Sequence, residues 1–97
     1  MGENNEYNLF VEHACPICTE AEALLQSRDF EYRKYYTTAS HVPGHIYVWM
    51  SESPTLVPKE TIPAVPALFD KVNNLLICGL QGIEKISSGN IYNDKIC

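Results

Sequence analysis

Cys15-Pro16-Ile17-Cys18 decides how this chain is read. Two thiols stand three positions apart, with a proline directly after the first. Upstream, Tyr7 to Glu12 (YNLFVE) is short and apolar-rich. Leu9 and Val11 fall on one side and Phe10 on the other, as in a strand covered on both faces. Downstream, Ile17, Ala21, Leu24 and Leu25 recur at helical spacing and form one apolar stripe. His13-Ala14 is left as the connecting turn. Cys15 takes the N-cap region, and Pro16 suits the first helical position, where its missing N–H costs nothing. The pattern predicts a helix over 16–27. Glu20 and Glu22 lie toward its positive end and Arg28 at its negative end, as the helix dipole favours.

The same periodicities and turn residues place the remaining elements. Phe30 to Tyr36 (FEYRKYY) alternates aromatic and charged residues, which predicts a strand with one solvated face. Strand, helix and strand in so short a span make a βαβ unit, parallel and right-handed. Pro43-Gly44 marks a turn, Ile46 to Met50 is apolar, and Pro54 and Pro58 restrict the segment beyond it. One short helix near 45–52 is expected in this interval. Ala67-Leu68-Phe69 and Leu75 to Cys78 read as a β-hairpin about an Asn73-Asn74 turn tolerant of positive φ. Gly79 and Gly82 break the hairpin, and Ile83 and Ile86 suggest a short closing helix. The predicted order is β-α-β, a connection, β-β, α, in one α/β domain spanning 1–97. Residues 1–6 are expected to be a flexible tail, and 89–97 receive no assignment.

Composition excludes several classes of function. The 97 residues are 45% apolar, enough for a globular core. Seven basic against twelve acidic residues give a net charge of −5, with no basic cluster. That argues against a nucleic-acid footprint and against a polybasic membrane patch. No apolar run approaches the length of a membrane span. Met1 to Glu6 has no apolar segment of a secretory signal, and Glu6 stands where myristoylation wants Ser or Thr. Cys97, as the last residue, cannot head a prenylation box. A cytoplasmic monomer is expected, with its four cysteines mostly reduced and function concentrated in one pair.

Disulfide exchange needs a thiolate at neutral pH, and a free cysteine titrates near about 8.5. At a helix N-terminus, unpaired backbone N–H groups and the dipole both favour negative charge on sulfur. Cys15 is therefore expected to be the nucleophile and Cys18, one turn along and less exposed, the resolving thiol. Glu12 works in the opposite direction if it points at Cys15, since a nearby acid disfavours the thiolate.

A helix-opening CPxC after the first strand, and a VP before the third, resembles the thioredoxin superfamily and, within it, the glutaredoxins. The similarity covers about residues 7–88. It implies a thioredoxin-like fold, a four-stranded mixed sheet with helices on both faces. Cys15-Pro16-Ile17-Cys18 resembles the glutaredoxin CPYC, with Ile17 in place of the aromatic residue. Val65-Pro66 followed by Ala-Leu-Phe resembles the family's VPxxF, whose proline is cis; Pro63, in Thr61-Ile62-Pro63, competes for that role. Pro66 is preferred because the strand-like run follows it directly. Ile77-Cys78-Gly79 resembles the IGG after the fourth strand, with Cys78 replacing the first glycine.

The resemblance implies thiol–disulfide oxidoreductase activity on protein or glutathione-mixed disulfides, with glutathione as reductant. It carries His13, Pro16, Ile17, Val65, Pro66, Cys78, Gly79, Leu80 and Gln81 over as the substrate- or glutathione-binding positions. The family's basic residue before the first cysteine is absent, and only His13 partly replaces it. The hydroxyl or acidic residues that hold the γ-glutamyl end are replaced by Gln81 and Gly82. A thioredoxin-like carrier recycled by a flavoprotein reductase is therefore the nearest alternative.

Other uses of these residues have weaker support. A lone CxxC can be half a zinc or iron–sulfur site, but no second CxxC or histidine pair at metal-binding spacing completes it, and no metal is expected. A thioredoxin-fold module that binds a partner through the groove beside Pro66, with its thiols idle, is a non-enzymatic reading. Pro63-Ala-Val-Pro66 fits a PxxP ligand motif but reads as a pre-strand element. Cys78 reads as a small strand-end residue in a position where a third redox thiol is conceivable, and Cys97 as incidental. His41 and His45 receive no role. Trp49 and the tyrosines read as packing residues.

Overall fold

A computed structural model of the chain describes residues 7–50, 52–72 and 74–87. The tails expected at 1–6 and 89–97, and Cys97 with them, lie outside the described residues. The elements are β1 (Tyr7–Val11), α1 (Pro16–Ser27), β2 (Arg33–Ala39), β3 (His45–Trp49), β4 (Pro54–Pro58), β5 (Ala67–Asp70), β6 (Leu75–Cys78) and α2 (Gly79–Ser87), with a single 3₁₀ turn at Lys59–Thr61. The six strands form one mixed sheet in the order β4-β3-β2-β1-β5-β6. Only β1 and β2 run parallel; every other neighbouring pair is antiparallel.

The sheet thus has six strands rather than the expected four, and the helix expected near 45–52 is instead the hairpin of β3 and β4. Ile46, Tyr47, Val48 and Trp49 are β-branched or aromatic, which suits a pleated surface better than a helix. Gly44, at φ 74°, makes the turn that brings the chain back along β2. Pro54 and Pro58 stand at the two ends of β4. An edge strand tolerates proline because it has no outer neighbour awaiting an N–H.

β2 begins three residues later than its alternation suggested. The turn after α1 accounts for the shift. Asp29 adopts φ 59°, and the Phe30 N–H returns to the Leu25 carbonyl at 2.9 Å. Phe30 is thereby spent on closing the helix, and its ring packs on Tyr7 with centroids 5.2 Å apart.

Both α-helices pack on one face of the sheet, against the expectation of helices on both. Leu9 and Val11 of β1, Leu68 of β5 and Ile77 of β6 meet Cys18, Ala21 and Leu25 of α1 and Ile83 and Ile86 of α2 in one buried cluster. Burial at this scale, about 1.5–3 kcal/mol per large aliphatic side chain, is the main favourable term holding the helices down. The helix stripe differs from the sequence reading in one respect. Cys18, not Ile17, takes the inward position, and Ile17 is 51% exposed. The alternate strand residues point to the other face. There Val48, Ala67 and Ile62 form a second cluster with Phe10, Tyr35, Ile46, Val57 and Leu76 beside it. None of the described helices is long and apolar enough to cross a membrane.

Candidate active site

The site is built where β1 leaves the sheet. Val11 is the last strand residue, and Ala14, at φ 55°, turns the chain so that Cys15 arrives as the N-cap of α1. Cys15 has extended backbone angles and Pro16 follows at the first helical position. The Cys18 backbone N–H donates to Cys15 Sγ at 3.2 Å, and the Thr19 N–H donates to the Cys15 carbonyl at 3.1 Å. The sulfur therefore occupies the acceptor position that serine or aspartate fills in an ordinary N-cap.

Cys15 and Cys18 form a disulfide, with Cα atoms 5.2 Å apart. That separation lies within the usual range for a disulfide. The two cysteines differ in environment, as expected. Cys18 is 2% exposed in the α1 stripe, whereas Cys15 is half-buried and lines a cleft of about 510 Å³.

The walls of that cleft are Val11, Glu12, His13, Ala14, Pro16, Thr19, Glu22 and Tyr36 together with the two cysteines. His13 stacks flat on Tyr36, with ring centroids 4.3 Å apart and planes 3° apart. Register explains the meeting: Val11 of β1 pairs with Tyr36 of β2, so the ring rises beside the turn that carries His13. Glu22, nearly two turns into α1, accepts from the Lys34 ammonium at 3.2 Å. That ammonium also lies 5.1 Å from the Tyr36 ring centroid. The Tyr36 side chain is the largest influence raising the Lys34 pKa; partial burial lowers it, and Glu22 raises it further. Tyr36, Glu22 and Thr19 were not expected as site residues from the sequence. Tyr36 could have been found only through the β1–β2 register, and Glu22 only by projecting α1 as a helical wheel.

A second cleft of about 210 Å³ is lined by Glu12, Thr37, Thr38, Ala39, Ile46, Lys59, Ile62, Pro63, Ala64 and Val65. It brings Val65 within reach of Glu12, the residue that both clefts share. The Val65–Pro66 peptide bond is cis, so Pro66 rather than Pro63 takes that conformation. Pro66 is fully buried, and its carbonyl accepts from the Gly79 N–H at 2.8 Å.

The other predicted positions lie elsewhere. Gly79 has φ 83° and opens α2 directly after β6. Leu80 packs against the helix-side core, and Gln81 is exposed on α2. None of Cys78, Gly79, Leu80 and Gln81 lines either cleft. Cys78 lies beside the second cluster and is disulfide-bonded. None of the described cysteines is free. Among the described residues no group of three or more His, Cys, Asp or Glu side chains is arranged to hold a metal ion.

Comparison with family models, with curated proteins and with solved structures returns no match for this chain.

Proposed function

We propose that the protein is a glutaredoxin-like thiol–disulfide oxidoreductase of thioredoxin-like fold, working through the Cys15–Cys18 pair. The observation that carries this reading is the asymmetric disulfide at a helix N-terminus, with Cys15 in an open cleft and Cys18 in the core. The strand order β2-β1-β5-β6, with β1 and β2 parallel and the β5–β6 hairpin antiparallel, supports the fold reading. So does the cis peptide at Val65–Pro66.

In the reduced protein, the Cys18 N–H and the positive end of α1 favour the thiolate of Cys15. That thiolate attacks one sulfur of a substrate disulfide. A Cys15–substrate disulfide forms, and the other substrate sulfur leaves as a thiolate. Cys18 loses its proton to solvent and attacks Cys15 Sγ, which releases the second substrate thiolate and closes the Cys15–Cys18 disulfide. The substrate gains two electrons and the protein loses two. Two equivalents of a thiol such as glutathione, or a flavoprotein reductase, return the pair to the dithiol. Cytoplasmic localisation belongs to this proposal, because a reducing compartment supplies that donor.

The test is turnover of a glutathione mixed disulfide, coupled to glutathione reductase. Wild type turns over, Cys15→Ser does not, and Cys18→Ser accumulates a mixed disulfide with protein substrates. Full activity in Cys15→Ser overturns the assignment of the nucleophile.

A further inference from the structure

We infer that Glu12 selects the substrate of this site, and that the substrate class is a polypeptide disulfide flanked by cationic residues. The inference rests on the redox reading above and adds to it the identity of the partner.

Glu12 is exposed at the carboxyl end of β1 and lines both clefts, so it stands on the wall between them. A chain lying from Cys15 toward Val65 passes this carboxylate. The other carboxylate of the Cys15 cleft, Glu22, is neutralised by Lys34 at 3.2 Å. Lys34 is in turn held between Glu22 and the Tyr36 ring. Lys59 lines the second cleft but not the first. Among the described residues lining the Cys15 cleft, Glu12 is therefore the carboxylate with no ion pair. The stacked His13–Tyr36 pair gives the same cleft a flat wall, against which the aliphatic stem of a lysine or arginine can lie. The net charge of −5 draws cationic partners from a distance.

Two short peptides test this, alike except that lysine or glutamate flanks the disulfide cysteines. In the binding arm, serine replaces the peptide cysteines, and association with the oxidised protein is followed by calorimetry. The lysine peptide binds more tightly than the glutamate peptide. Glu12→Gln narrows the gap by about two- to fivefold, the scale of one exposed charge pair. Glu20→Gln, an exposed acid of α1 outside both clefts, leaves it unchanged. Equal binding of the two peptides, or an equal effect of Glu20→Gln, overturns the inference. In the turnover arm, reduction of the disulfide peptides with dithiothreitol as donor is read as the rate above that of dithiothreitol without protein. Charge-selective binding without reduction leaves the docking inference standing and removes the redox reading. Reduction without charge preference in the binding arm does the reverse.

Discussion

Replacing Gly79 by alanine isolates one backbone requirement of the fold. Gly79 has φ 83°, and a Cβ built on it meets no atom within 4 Å. The substitution therefore creates no clash, and its cost is conformational. An L-residue held in the left-handed region costs about 1–2 kcal/mol. Alanine also restricts the unfolded chain, which returns about 0.4–1 kcal/mol. The net expectation is a loss of about 1 kcal/mol. If the chain relaxes φ instead, it loses the Gly79 N–H bond to the Pro66 carbonyl, which is worth about 1 kcal/mol as well. Either route gives a similar loss. Urea unfolding reads it directly. With a slope of about 1 kcal/mol per molar for a chain of this size, the midpoint falls by about 1 M at unchanged slope. D-alanine, introduced by chemical synthesis, fits positive φ and raises the midpoint. An L-alanine variant whose midpoint matches wild type would falsify the reasoning, because a strained residue with no compensating contact cannot be free of cost.

Two further predictions concern the frame around the site. Leu25 of α1 is fully buried, so Leu25→Ala costs about 2–5 kcal/mol in the same unfolding assay; a loss below about 1 kcal/mol contradicts the core assignment. Lys34 has a folded-state pKa raised by the Tyr36 side chain and Glu22, so its stabilising contribution is complete below the ordinary lysine value of about 10.5 and is lost as pH rises through the folded value. Its contribution is small, about 0.2–1 kcal/mol, because the pair is partly exposed. An NMR titration of the Lys34 ε-methylene places its midpoint above that of free lysine and lower in Glu22→Gln, and an unchanged midpoint in that variant removes Glu22 as a cause.

The sequence was most legible where local chemistry and packing agree. Pro16 after an N-capping cysteine, with apolar residues at helical spacing, marked α1 at its observed bounds of 16–27. Asn73 of the expected Asn73-Asn74 turn lies outside the described residues, but Asn74 adopts φ 55°, a conformation that asparagine tolerates. Val65-Pro66 was preferred to Pro63 because a strand follows it, and that bond is the cis one. The β3–β4 hairpin was hidden because Ile46 to Trp49 carries no polar alternation. Period alone does not separate a short apolar strand from a helix. The prolines of β4 suggested irregular chain, although at a sheet edge they are harmless. The cleft was half-visible for a related reason. A strand placed at 30–36 does not announce which of its tyrosines faces His13. The register of β2 on β1 does, and that register depends on Phe30 closing α1 instead of starting the strand.

The central claim is that Cys15 and Cys18 exchange electrons with substrate. The most direct measurement is the redox state of this pair across a series of glutathione buffers, read by thiol alkylation and peptide mass spectrometry so that it is followed separately from Cys78. The account predicts a reversible two-electron transition between disulfide and dithiol within that series, with Cys15 the faster of the two to alkylate once reduced. A pair that stays closed at every glutathione ratio contradicts it, and leaves the disulfide a fixed staple at the head of α1.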